Sequence, residues 1–243
     1  MQVNLSLSAY SDKTYLEAMQ IALNEHTDDH EQFSLQHIEI SPKNIGILNE
    51  SIIDALRALS PQSLFRLHAN VRVDQNNHYQ ATLSNFFYKK TYFKRLAELH
   101  RYMGATAYTL HPGGRPDCEV TSLPDLLKEL SDCFECRVGV EPMYPAAGHK
   151  HLLDCWSEYQ WLLQSGMDYV LNLNHFSIIA RRQRKYDNSL LMDLLASPCC
   201  IEIHVPDSDS GGALPWWHEH LANFISKQKV LDRDGPVIFI EGR

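Results

Sequence analysis

The sequence predicts an α/β chain folded as one (β/α)8 (TIM) barrel domain over residues 1–243, and three observations lead there. Strand-like and helix-like segments alternate from end to end, a pattern that favours a parallel sheet with crossover helices. The 243 residues come close to the roughly 250 typical of such a barrel. Five apolar runs each end in His or Glu: LFRLH at His68, YTLH at His111, VGVE at Glu141, IEIH at His204 and VIFIE at Glu241. A sixth, VLNLNH, ends in Asn172 and His175. In a barrel the C-terminal ends of all strands meet at one mouth, so these residues would converge.

The elements follow in order. Residues 3–8 alternate apolar and polar as a first strand, and 15–23 carry apolar residues at helical spacing. A short strand over 37–40 precedes the helix-like NESIIDALRAL, with Asn49 or Ser51 as its cap. A third strand spans 64–73, and a long helix over about 85–103 stops at Gly104. The fourth strand, 105–111, runs into His-Pro-Gly-Gly, and a helix over 122–134 takes Pro124 in its first turn, where a missing N–H is harmless. Strands at 138–141, 169–174, 200–205 and 237–240 alternate with helices near 152–164, 189–195 and 216–226. A doubly wound open sheet is the rival fold, but it usually carries a glycine fingerprint after its first strand, and SLSAYSD offers none. The sequence stops at Arg243, directly after strand eight, so the last helix of a full repeat is expected to be absent. The closing Ile-Glu-Gly-Arg looks like an engineered protease site but reads as native, because Ile240 and Glu241 complete an apolar strand.

Composition narrows the function. A net charge of −8 gives no overall basic field, so nucleic acid is not the expected partner. No run approaches the roughly 18 apolar residues of a membrane span, and Met-Gln-Val-Asn does not start a signal peptide. A cytoplasmic protein acting on a small molecule is expected. Six Cys do not suggest a disulfide framework, and the Cys133–Cys136 pair reads as idle thiols.

Imidazole and carboxylate are the usual ligands of zinc, manganese and iron. A lone His at a strand end is ordinarily a hydrogen-bonded core or surface residue. Glu141 and Glu241 argue otherwise, because a carboxylate after an apolar strand is costly to bury unless a cation compensates it. Taken jointly, these residues point to a metal site at the barrel mouth. His149, His151 and His220 carry no motif and read as surface residues.

The order of these motifs resembles the xylose-isomerase-like barrel superfamily, and within it the endonuclease IV (AP endonuclease family 2) branch. The resemblance spans nearly the whole chain at motif level: RLHAN at His68, His-Pro-Gly from His111, VGVEP at Glu141, Asn172 with His175, IHVPDS at His204 and Asp207, and the final Glu241. It implies one metal held by His68, His111 and Glu141. A second would sit on Glu141, His204 and Glu241, with Asn172 as a weak or absent ligand. A third position would have only His175 and His218. The chain departs from that branch where Asn172 and Trp216 stand at Asp positions, so one or two divalent ions per chain are expected, zinc first, with manganese or iron as alternatives. Glu141 and Glu241 would be catalytic as well as ligating. Asp207 would orient an imidazole, Arg115, Arg181 and Arg182 would clamp phosphate or carboxylate, and Trp216 would wall the substrate.

The first function expected is a metal-dependent hydrolase of a phosphoester or related small substrate. The second is a metal-dependent sugar isomerase or epimerase, which would use Glu141, Asn172, His204 and Glu241 and would not need the His68 and His111 pair. A multi-iron oxidative enzyme and a catalytically silent binding barrel complete the field. The aromatic segment 84–93, SNFFYKKTYF, would cover the substrate or face a partner.

Overall fold

The computed structural model describes residues 3–27, 33–75, 80–146, 148, 150–206, 218–231 and 235–241. Eight parallel strands close into a barrel in sequence order: β1 (Asn4–Ser6), β2 (Ser34–Ile40), β3 (Leu64–Leu67), β4 (Ala107–Leu110), β5 (Arg137–Val140), β6 (Tyr169–Asn172), β7 (Cys200–Pro206) and β8 (Val237–Glu241). The seam is closed by β8 pairing with β1 at Asn4↔Phe239 and Leu5↔Ile240. Among the described residues, eight α-helices surround it: α1 (Tyr15–Thr27), α2 (Glu50–Leu59), α3 (Lys90–Met103), α4 (Leu123–Phe134), α5 (Trp156–Ser165), α6 (Leu173–Gln183), α7 (Asn188–Ala196) and α8 (His218–Leu231). None of the described helices is long and apolar enough to cross a membrane.

Local chemistry sets the boundaries. Asn49 caps α2 by accepting from the Ile52 N–H. Gly104 ends α3 at φ 67°, a left-handed conformation that glycine adopts without strain. Four expected elements change on folding, and the third strand, expected over 64–73, ends at Leu67. The first strand ends at Ser6 and passes into a 3-10 turn, Leu7–Tyr10, whose start is held by the Ser6 hydroxyl. The helix expected over 85–103 divides into a 3-10 segment, Leu83–Lys89, and α3. The strand expected over 169–174 stops at Asn172, because that side chain caps α6 directly.

The lumen has layers. Ala107, Val170 and Ile201 form an apolar floor, tight enough that a Cβ on Gly139 would lie 2.8 Å from Ile201 Cδ1. Above it, alternate residues on each strand turn polar and face one another across the barrel, as the two-residue period of a strand requires. Arg66 on β3 reaches Glu202 on β7 at 2.8 Å. These strands are four apart around the barrel, so the contact crosses the interior. The same Arg66 Nη1 donates to the Ile201 carbonyl at 3.2 Å, where the β6–β7 register shifts between Tyr169 and Val170.

Candidate metal centre

The polar layer leads up to a mouth whose side chains come from strands β2 to β8. Four carboxylates gather there (Glu39, Glu141, Glu202 and Glu241), with His68, His111, His175 and His204 among them. Arg66 compensates Glu202, but the other three carboxylates meet chiefly imidazoles. Glu141 Oε2, buried and without a hydrogen bond among the described residues, lies 3.5 Å from His68 Nε2 and 3.7 Å from His111 Nε2. Among the same residues both oxygens of Glu39 also lack a hydrogen bond, although His204 Nε2 is 3.2 Å away and His68 Nδ1 3.5 Å. Buried acceptors left in this way call for a cation or a proton. Two overlapping groups have ligand atoms close enough for one ion: His68, His111 and Glu141, and Glu39, His68, His204 and Glu241.

Neighbouring groups fix how each imidazole is presented. Thr109 Oγ1 donates to the Leu67 carbonyl at 3.5 Å, so it accepts from His68 Nδ1–H at 2.9 Å. That leaves the His68 Nε2 lone pair toward Glu141. His204 donates from Nε2 to Glu202 at 2.7 Å, which turns Nδ1 toward Glu241 at 3.3 Å and Glu141 at 3.8 Å. His175 donates from Nδ1 to the Pro142 carbonyl at 2.9 Å, and its ring packs 4.8 Å from that of Tyr144. Asn172 donates from Nδ2 to Glu141 Oε1 at 2.8 Å and to Glu241 Oε2 at 2.9 Å, while its Oδ1 accepts from the N–H groups of Asn174 and His175.

Charge balance follows from burial and proximity. Burial alone would push the His204 imidazole down, but Glu241, Glu39 and Glu202 outweigh it and hold it well above the usual range. Burial opposes ionisation of Glu241 and Glu141, yet the imidazoles, His204 foremost, hold both carboxyls below their usual value. Glu39 goes the other way, because its burial outweighs the nearby imidazoles. His111 keeps 30% of its side chain exposed, and the recess around it lowers its pKa to about 4, chiefly by desolvation. It is therefore a neutral donor at pH 7, as a metal ligand must be.

Beside His111 opens a cleft of about 390 Å³, lined by Asn70, Gln80, Thr82, Asn85, Lys150 and His151 among others. The His-Pro-Gly-Gly segment forms one wall. Leu83 and Ser84 donate backbone N–H bonds to the His111 and Pro112 carbonyls, and Leu152 donates to that of Gly113. Gly113 sits at φ +99°, and a Cβ there would collide with Ser84 Oγ at 1.9 Å.

The structure thus brings together His68, His111, Glu141, Asn172, His175, His204 and Glu241. Arg115 is engaged elsewhere, bonded to Asp154 and Glu158 at 2.7–2.9 Å. Arg181 and Arg182 are exposed in the last turn of α6, a helix that starts at the mouth and runs away from it. Asp207 and Trp216 lie outside the described residues, and His218 is placed only as the first residue of α8. Of the aromatic segment, Phe86, Tyr92 and Phe93 enter the core, while Phe87 and Tyr88 stay exposed. Sequence reasoning missed Glu39, Glu202 and Arg66 in the lumen, and His151, read as a surface residue, lines the cleft. The period of two was the available signal, since Arg66 precedes His68 and Glu202 precedes His204 by two positions.

No protein-family model matches the chain, and no curated protein does. Solved structures do. A D-tagatose 3-epimerase-like protein superposes with a TM-score of 0.64 at 14% identity, covering 100% of this chain and 91% of that one. The IOLI protein, solved with a binding zinc atom, gives 0.64 at 12% identity, covering 99% and 88%. Endonuclease IV from Thermus thermophilus gives 0.60 at 17% identity, covering 100% and 92%. An epimerase-like protein, a zinc-bound protein and an endonuclease thus share this chain's fold, the (β/α)8 barrel.

Proposed function

We propose that this chain is a metal-dependent enzyme, a hydrolase of a phosphoester or related small polar substrate that enters by the cleft beside His111. One observation carries the reading: the buried, unbonded Glu141 Oε2 faces the Nε2 atoms of both His68 and His111. Two imidazoles and a carboxylate suit zinc, manganese or iron, and three protein ligands leave a position open for substrate or water. A divalent ion held there would lower the pKa of a water and would stabilise negative charge on the substrate.

The chain's own residues do the rest. Thr109 holds His68 in the tautomer that presents a lone pair to the centre, and Glu202 fixes the ring of His204 with Nδ1 toward Glu241. Glu241 keeps 21% of its side chain exposed, which supports it as the carboxylate that takes or returns a proton. Gln80, Asn85 and Lys150 offer amide and ammonium groups to a polar substrate along the cleft.

A second reading, a sugar isomerase or epimerase, is favoured by a different observation. Glu141 and Glu241 converge on a single amide, so two carboxylates flank one small space. Proton transfer beside a carbonyl can use such a pair.

The test is metal content per chain by elemental analysis, on protein purified without chelator, for wild type and Glu141→Ala. Metal in the wild type and loss in the variant are expected, with turnover of p-nitrophenyl phosphate or its diester. Metal with aldose–ketose interconversion and no phosphoester cleavage selects the second reading. No metal after soaking in zinc, manganese and iron overturns both.

A further inference from the structure

We propose that Asn172 is a positioning residue rather than a metal ligand: it tethers Glu141 and Glu241 by one oxygen each, so that the centre takes up a single divalent ion on the His68–His111–Glu141 side. This rests on the metal-centre reading above and concerns how many ions that centre accepts.

The orientation of the amide is determined at both ends. Its oxygen accepts two backbone N–H groups, from Asn174 at 3.0 Å and His175 at 3.2 Å, which makes it the cap of α6. Its nitrogen spends one hydrogen on Glu141 Oε1 and the other on Glu241 Oε2. Turning the amide over would set NH2 against two N–H donors and oxygen against two carboxylates. The oxygen that could ligate a cation therefore points away from the centre, and an amide nitrogen has no free lone pair to give.

The consequence falls on Glu141. A carboxylate bridges two ions by giving one oxygen to each, but here Oε1 is held by Asn172. Only Oε2 is unbonded, and it faces His68 and His111. On the other side, Glu241 Oε1 meets His204 at Nδ1, whereas Glu39 meets the same ring at Nε2. Glu39, His204 and Glu241 share their fourth partner, His68, with the first group. With Nδ1 given to Thr109 that ring has one nitrogen left, so an ion on the His111 side takes it from the other group.

Asn172→Asp is the discriminating variant, because it keeps the oxygen that caps α6 and replaces the tethering N–H groups by a ligand oxygen. Manganese(II) and zinc are titrated into metal-free wild type and variant, bound metal is counted, and the manganese spectrum is recorded by electron paramagnetic resonance. The expected result is one ion per wild-type chain with the six-line spectrum of isolated manganese. The variant is expected to hold two ions with an exchange-coupled spectrum. Asn172→Ser, which keeps a capping oxygen but loses the tether, is expected to retain helix content while binding the single ion about tenfold more weakly; if Asn172→Asp does not fold, this variant decides. Two ions in the wild type, one ion in Asn172→Asp, or undiminished affinity in Asn172→Ser overturns the inference and leaves the metal centre standing. No ion in any of the proteins overturns the metal centre and the inference together.

Discussion

His204 and His100 are buried to the same degree, 1% exposed each, yet their surroundings drive them in opposite directions. His204 lies at the mouth among carboxylates, which outweigh its burial and raise its pKa well above the usual range. His100 lies near the end of α3 with Phe134 at 5.4 Å between ring centroids and Cys136 Sγ at 3.6 Å, and burial lowers its pKa to about 4. Cys136 is affected likewise, its thiol pushed up to about 12. One pocket gathers carboxylates around the ring, and the other sets it against the Phe134 ring and the Cys136 thiol. Imidazole burial alone therefore says nothing about function, and the carboxylates around the ring decide it.

The largest expected effect comes from breaking the charge balance of the lumen. Arg66→Met strands Glu202 without its guanidinium and should cost about 3–5 kcal/mol in denaturant unfolding. Arg137→Met removes a guanidinium bonded to Asp168 at a site 53% exposed, and should cost no more than about 1 kcal/mol. Equal losses from the two substitutions would mean that the interior pair is no different from a surface one.

The next effect belongs to His100. Its folded pKa lies below the ordinary imidazole value, so the folded state binds fewer protons than the unfolded one. Its contribution is fully present above pH 6.5 and is lost as the pH falls through about 4. The loss should be on the order of 3 kcal/mol, and His100→Leu should lack that part of the acid dependence. Unfolding curves at pH 7, 5.5 and 4.5 for both proteins read the difference, and parallel curves would sink the assignment.

The smallest effect is expected at Thr109. Thr109→Val removes the acceptor of His68 Nδ1–H, and competition with a chelator should show zinc affinity reduced about 10–100-fold. Unchanged affinity would mean that His68 is oriented without Thr109 or does not ligate.

The sequence displayed the barrel because every repeat from the third onward ends an apolar strand in a polar residue, and those ends lie together in space. His68, His111, Glu141, His204 and Glu241 were legible for that reason. Glu39 was not, since one Glu between two Ile in HIEI reads as a solvated position on an edge strand, and only barrel closure turns it inward. Arg66 and Glu202 were hidden similarly, because their partnership crosses the lumen between residues 136 positions apart. Asn172 was seen as a substituted ligand, but its second role, capping α6, depends on the strand ending two residues earlier than the apolar pattern suggests.

Glu241 occupies β8, the strand that completes the ring against both β7 and β1. The hydrogen bond from Asn4 Nδ2 to the Ile238 carbonyl spans 234 positions of chain. Contacts of that separation carry the greatest closure entropy and slow folding most. The carboxylate that Asn172 ties to Glu141 thus arrives only when the ring shuts, which couples assembly of the mouth to closure of the barrel. Occupancy of that mouth would then act as a latch on the seam, and a chain that loses it should reopen fastest between β8 and β1.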